Sequence, residues 1–354
     1  MHIHDLLQLT VAKGASDLHL KARGVPTLRI DGELVPQKQM PEMTPDDMEQ
    51  LFEQATTDAQ RVSFAEGLEL DFAYQANGIG RFRINAYLQG CTISLACRPI
   101  KTQLPTIEEL GLPEVCKSLV LRPRGLVVVT GPTGCGKSTT LAAMMNYLNH
   151  QERRKVITIE DPIEFVHQDG KCVFSQRELG GDTKSFANAL KHALRQDPDV
   201  ILVGEMRDLE TMAAALTAAE TGHLVLTTLH TPSAAQAIDR FIDIFPPHHQ
   251  HQVRIQLSTT LEGVLYQVLV PRSAGSGRVA AVEIMLATSA VRNLIREGKT
   301  YQLVNAIHTG SQYGMQSLDQ ALLALYRHGT ISRDQALAYS IDAAELKEML
   351  GKPH

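Results

Sequence analysis

Eight consecutive residues concentrate the chemistry of this 354-residue chain: Gly131, Pro132, Thr133, Gly134, Cys135, Gly136, Lys137 and Ser138. They fit the pattern G-x-x-x-x-G-K-[ST] at every fixed position. The pattern has a physical reason. Glycine tolerates the positive φ that turns successive N–H groups inward, and a helix starting at the end of the loop adds unpaired amides and the positive end of its dipole. The product is a cradle for phosphate oxygens. Lys137 would reach the β- and γ-phosphates and Ser138 would hold Mg²⁺, so ATP and Mg²⁺ are the expected ligands, with Thr139 completing the binding set. Both flanks agree: residues 125–130 read as a buried β-branched strand and residues 139–149 as a helix.

Hydrolysis needs more than a cradle. Residues 199–204 read as an apolar strand that delivers the carboxylate of Glu205, placed to bind Mg²⁺ directly or through water. A second group must orient and deprotonate the attacking water. Glu164 is favoured for this, with Glu160 and Asp161 as near alternatives. His223 and His230 flank a strand over 224–229, where a neutral imidazole can hydrogen-bond a γ-phosphate; a satisfied core histidine is the plainer reading of each. Arg81 and Arg83 share one face of a predicted strand and Arg98 ends the next. They are candidates to compensate charge on the γ-phosphate, although an exposed strand face often carries such arginines. His248, His249 and His251 follow Pro246 and Pro247 with no cysteine or carboxylate cluster nearby, which favours a solvated helix start over a metal site.

Other elements must hold these residues in place. The first hundred residues mix helix and strand: a helix over 3–13, a strand at 17–20, a hairpin across Asp31-Gly32, a helix opened by Thr44 and Pro45, then strands at 70–74, 81–88 and 91–98. They are expected to form a small α+β domain, 1–100. Residues 101–124, with Pro105, Pro113 and Pro123, read as a linker with one short helix. From Gly125 strand and helix alternate, the sign of a parallel sheet covered by helices, so 125–354 is expected to be an α/β domain. Past Pro247 the reading is helical, interrupted at 279–285, with a helical tail from Ser317.

Composition narrows the class. The chain carries a net charge of −5, which gives no global attraction to nucleic acid. Its five cysteines form no C-x-x-C pair, so neither a disulfide framework nor a structural zinc site is expected, and a reducing cytoplasm fits best. No run approaches the 18 or so apolar residues of a membrane span, and the N-terminus lacks the apolar stretch of a signal peptide, so any membrane role is expected to be peripheral.

Taken together, the motifs resemble those of the secretion-type ATPases, and within them the pilus-retraction branch. The resemblance runs nearly the full length. Residues 131–138 match the Walker A motif, 159–165 the Asp box, 201–205 Walker B, and 221–231 the His box. Residues 290–297 and 314–322 look like the C-terminal signatures of the retraction branch. The resemblance implies a PAS-like N-terminal domain, a RecA-like ATPase domain, and a homo-hexameric ring peripheral to the inner membrane at the cytoplasmic base of a type IV pilus. There it would meet a platform protein and an accessory retraction ATPase, without nucleic acid or membrane insertion. It also implies that Glu164 is the catalytic glutamate and that Arg83 and Arg98 are arginine fingers, against the plainer reading of those arginines. The additional N-terminal domain and four-cysteine zinc insertion of extension-type relatives are not seen here. Cys135 stands where serine is common, which suggests a thiol-sensitive loop. An accessory paralogue and a RecA-like nucleic-acid motor are the alternatives.

Overall fold

Ile3, Leu6, Leu7 and Thr10 repeat at helical spacing and are buried on one face of α1 (Ile3–Ala12). The chain then runs through β1 (Asp17–Lys21), β2 (Thr27–Ile30), β3 (Glu33–Pro36), α2 (Pro45–Ala55), α3 (Asp58–Gly67), β4 (Glu69–Ala76), β5 (Gly80–Gln89) and β6 (Thr92–Pro99). The strands form one antiparallel sheet in the order β3-β2-β1-β6-β5-β4. Asp31 and Gly32 both take positive φ between the paired Ile30 and Glu33, the two-residue hairpin turn that an Asp-Gly dipeptide favours. Thr44 caps α2 by accepting from the Asp47 N–H, while the Asp47 carboxylate accepts from the Thr44 N–H. Leu18, Leu28, Phe72, Phe82, Ile84 and Leu95 are buried against Leu6, Met48 and Leu51 in a core of their own. The sequence pattern does not announce α3, because Phe64 alone among its residues is buried and its hydrophobic period is faint.

The computed structural model describes residues 1–100, 103–274 and 277–351, folded as two units. The first is Met1–Gln103 with Pro162–Val166; the second is Leu104–Asp161 with everything from His167 onward. The expected linker therefore divides. From Leu104 it belongs to the second unit, where Ile107, Leu112, Cys116, Leu119 and Val120 are buried with Val127, Val129 and Leu141. Its prolines mark turns around a packed segment rather than a tether.

The second unit contains α4 (Val115–Val120), β7 (Gly125–Thr130), α5 (Lys137–Gln151), β8 (Lys155–Glu160), β9 (Val173–Glu178), α6 (Phe186–Ala193), β10 (Val200–Val203), α7 (Leu209–Glu220) and β11 (Leu224–Leu229). It continues with α8 (Ala234–Asp243), α9 (Pro247–Thr260), β12 (Leu261–Pro271), β13 (Arg278–Leu286), α10 (Ser289–Arg296), α11 (Leu303–Thr309), α12 (Leu318–Arg327), α13 (Arg333–Tyr339) and α14 (Ala343–Gly351). Its sheet order is β13-β12-β7-β11-β10-β8-β9, parallel throughout except for β13 at the edge. The core strands β7, β10 and β11 are buried at every residue, as expected where helices cover both faces.

Two strands depart from expectation. β12 lies in a stretch read as helical; it starts directly after α9 with no intervening loop, and burial on both faces erases the alternation that would mark a strand. β9 is a half-exposed edge strand with little apolar content. Beyond β12, Glu283 of β13 is buried and accepts from the Ala234 N–H at the start of α8 at 2.7 Å and from the backbone of Leu318 at the start of α12. One carboxyl group thus ties the helix after the His box to the helix of the tail signature.

Candidate nucleotide site

The loop between β7 and α5 has the geometry its glycines imply. Gly131, Gly134 and Gly136 all have positive φ, at 145°, 77° and 89°. A Cβ on Gly131 would lie 2.3 Å from the Gln267 carbonyl oxygen and 2.8 Å from Cys135 Sγ; one on Gly136 would lie 3.0 Å from Gln267 Nε2; one on Gly134 would meet open space. Gly131 is therefore fixed by a backbone contact, and Gly134 by φ alone. α5 begins at Lys137 with no side chain capping it, the arrangement in which a helix start can face an anion. Gly131→Ala is expected to destabilise the second unit by about 3 kcal/mol, overpacking adding to backbone strain, against about 1 kcal/mol for Gly134→Ala. Denaturant titration of both variants checks this, and equal losses would contradict the contact.

Sheet order sets up the rest of the site. β7, β11 and β10 are adjacent, so their carboxyl ends present Lys137, His230 and Glu205 in a row. Lys137 is buried, and its Nζ donates to the carbonyls of Gly131 at 3.0 Å and Pro132 at 3.1 Å and lies 3.4 Å from His230 Nδ1. An ammonium group only donates, so Nδ1 accepts from it and His230 carries its proton on Nε2. That nitrogen faces Glu205 Oε1 at 3.3 Å, and Glu205 Oε2 pairs with Arg207 at 2.8 Å. Burial pushes the Glu205 carboxyl up, but the Arg207 hydrogen bond, the facing His230 ring and the charges of Arg207 and Lys137 outweigh it and hold the carboxyl below its usual range. Glu205 is thus an anion at neutral pH. Gly204 lets it approach: its N–H donates to the Ile159 carbonyl at 2.8 Å, and a Cβ there would sit 3.3 Å from the Glu160 Cα. Thr130 and Thr231 tie the ends of β7 and β11 through their hydroxyls at 2.8 Å.

The remaining sequence candidates are spread more widely. Pro132 and Thr133 lie in the loop, and Ser138 and Thr139 in the first turn of α5, both partly exposed. His223 precedes β11 and is at the opposite, amino end of the sheet, where its carbonyl accepts from the Gly125 N–H at 3.0 Å. A strand of that length separates it from the cradle by roughly 20 Å, and its Nδ1 faces the Ala218 carbonyl instead. This chain's cradle therefore does not include His223. Glu164 lies four residues beyond β8, exposed, in the segment Pro162–Val166 that belongs to the first unit. Arg83 and Arg98 are also in the first unit, directly opposed across β5 and β6 on the face away from Phe82 and Ile84. Arg83 is 3.5 Å from Asp71 and Arg98 is 2.7 Å from Asp17. Cys135 is 3% exposed, and burial pushes its thiol up despite the pull of Lys137, which removes the expected thiol sensitivity. His248, His249 and His251 lie at the start of α9, which begins at Pro247.

Arg207 and Gln267 carry site contacts that the sequence did not single out. Arg207 lies two residues past Glu205, within reach of the motif's own signal. Gln267 sits in β12, far from any motif, and only the pairing of β12 with β7 brings it to the loop.

A glycine loop between a parallel strand and a helix, with a strand-end carboxylate two strands away, defines a P-loop nucleoside triphosphatase domain, here in a chain that also carries a separate α+β unit. The profile described as Type II/IV secretion system protein matches residues 2–336, and the chain belongs to that family. It is 51% identical over 336 residues to the Type IV pilus retractation ATPase PilT of Pseudomonas aeruginosa, covering 95% of this chain and 97% of that protein. It is 44% identical over 350 residues to the Type IV pilus ATPase PilU of the same species, covering 99% and 91%. The crystal structure of the pilus retraction motor PilT with bound ADP aligns at a TM-score of 0.91 and 45% identity, covering 99% of this chain and all of that one.

Proposed function

We propose that this chain is an ATP-hydrolysing motor of type IV pilus retraction, working as a homo-hexamer at the cytoplasmic base of the pilus against an inner-membrane platform protein. The observation that carries the ATPase reading is the connected row Lys137, His230 and Glu205 across three adjacent strand ends beside the glycine loop. Full-length likeness to a retraction ATPase supports the pilus assignment. The loop amides and Lys137 bind the phosphates, and His230 hydrogen-bonds the γ-phosphate. Ser138 and Glu205 offer the hydroxyl and carboxylate oxygens that suit Mg²⁺, which when bound neutralises charge on the β- and γ-oxygens. Glu164 is the base that activates water, and Arg83 and Arg98 supply charge in the transition state. Residues 1–100 form the PAS-like N-terminal domain, 101–124 the linker and 125–354 the RecA-like ATPase domain. No described helix is long and apolar enough to cross a membrane, which is compatible with a peripheral motor.

The likeness to PilU keeps a second reading, an accessory retraction ATPase. Complementation of hosts lacking the retraction ATPase or its accessory paralogue separates them. The first reading expects retraction restored in the former, and lost again with Glu164→Gln. The purified Glu164→Gln protein is expected to bind ATP like the parent while turnover falls about 10²-fold or more, read by phosphate release. Parental turnover would remove Glu164 from its role, and turnover stimulated by DNA at moderate salt would favour a nucleic-acid motor.

A further inference from the structure

Gln267 is a polar residue in the middle of an apolar strand, 2% exposed, with both ends of its amide engaged. Nε2 donates to the Cys135 carbonyl at 2.6 Å, and Oε1 accepts from the Thr140 hydroxyl at 2.7 Å. The orientation of the amide follows from chemistry: a backbone carbonyl only accepts, so the NH₂ must face Cys135, which leaves the oxygen for Thr140. β12 runs parallel to β7 with Tyr266 opposite Thr130, which sets Gln267 level with Gly131 where the loop leaves the sheet. Its backbone oxygen and side-chain nitrogen are the atoms that a Cβ on Gly131 or Gly136 would strike. Gly131 is thus required by the backbone of Gln267, while Gly136, held by its own positive φ, packs closely on the Gln267 amide.

We propose that Gln267 is a positioning residue for nucleotide, holding the peptide between Cys135 and Gly136 in its phosphate-binding orientation. In a trans peptide the carbonyl and the following N–H point in opposite directions. Anchoring the Cys135 carbonyl toward β12 therefore aims the Gly136 N–H away from β12, toward the mouth of the loop. If the peptide turned over, the phosphates would face a carbonyl oxygen in place of a donor. The Thr140 hydroxyl, one turn into α5, fixes which end of the amide faces the loop, so strand, loop and helix are locked together. The role rests on the reading of the cradle as a nucleotide site.

The test is ADP affinity, measured with a fluorescent ADP analogue on the full chain, for the parent, Gln267→Met and Gln267→Glu across about pH 6 to about pH 8.5, a window that a buried carboxyl reaches by an upward shift of several units. Gln267→Met keeps the volume and loses both hydrogen bonds; its Kd is expected to rise about tenfold. Gln267→Glu supplies a readout that packing alone would not move. Protonated, its carboxyl can still donate to Cys135 and accept from Thr140; ionised, it has no donor and sets a negative charge against the carbonyl. Its Kd relative to the parent is therefore expected to climb with pH by about tenfold or more, and this comparison stands within one protein even if Gln267→Met fails to fold. Variants that bind within about twofold of the parent at every pH, or a loss for Gln267→Glu that does not vary with pH, would overturn the role. A parent without ADP affinity would instead overturn the nucleotide reading itself.

Discussion

Lys137→Ala is expected to abolish ATP turnover, by about 10³-fold or more, and to weaken ATP binding by a smaller factor while the two units stay folded. The ammonium group lies at the mouth of the loop, bonded to the carbonyls of Gly131 and Pro132 and next to His230. Phosphates arriving there replace carbonyl partners with a stronger, fully charged acceptor, and the gain increases as charge develops on the transferring group. The effect on turnover should therefore exceed the effect on binding. Removing the charge also strips one of the influences that hold Glu205 ionised, although Arg207 and His230 remain. Lys137→Met separates the stem from the charge: if packing of the stem were the important part, Met would restore turnover. Phosphate release and binding of a fluorescent nucleotide measure the two effects, and turnover within about tenfold of the parent would remove Lys137 from the chemistry.

Local chemistry made some parts of this molecule readable and not others. Residues 131–138 and Glu205 are legible because phosphate binding imposes glycines, a lysine and a hydroxyl at fixed spacing on a strand-loop-helix, and the pattern survives whatever surrounds it. Asp31-Gly32 is legible for the same reason, since its positive φ values are a local demand. The role of Gln267 is set by sheet order, which places β12 beside β7 although more than a hundred residues separate them, and no local pattern encodes that. β12 itself was hidden because a strand buried on both faces looks the same as a buried helix segment. Strand direction decided His223: lying before β11 and not after it, the residue falls at the wrong end of a parallel sheet, which a flanking position in sequence does not reveal. The prolines at 105, 113 and 123 suggested a tether, yet the apolar residues between them are spaced to bury against the sheet, and burial outweighs the turn signals.

Arg98→Ala carries the second large expected effect, a loss of about 10³-fold in turnover at saturating ATP with little change in ATP binding. Arg83 and Arg98 are opposed across neighbouring strands, and like charges so placed weaken a sheet. Asp71 and Asp17 offset the repulsion: the exposed Arg83–Asp71 pair contributes at most about 1 kcal/mol, whereas Asp17 is buried, so its pair with Arg98 has a structural value of its own. Under the proposed function the two arginines would in addition meet a transition state rich in γ-phosphate charge. A cation that meets charge only as it develops raises kcat and leaves the ground state nearly untouched, hence the split between turnover and binding. Asp17 supplies the control. It accepts from Arg98 Nε at 2.8 Å and from Ser16 Oγ at 2.9 Å, so Asp17→Asn breaks the ion pair while keeping the guanidinium. If Arg98 mattered only as the partner of Asp17, the two substitutions would cost the same turnover. The expected result is that Asp17→Asn stays within about tenfold of the parent, Arg98→Ala does not, and Arg98→Lys falls between them because a point charge replaces a planar fork. Equal losses for Asp17→Asn and Arg98→Ala, tracking equal losses of melting temperature, would assign Arg98 to the fold of the first unit alone.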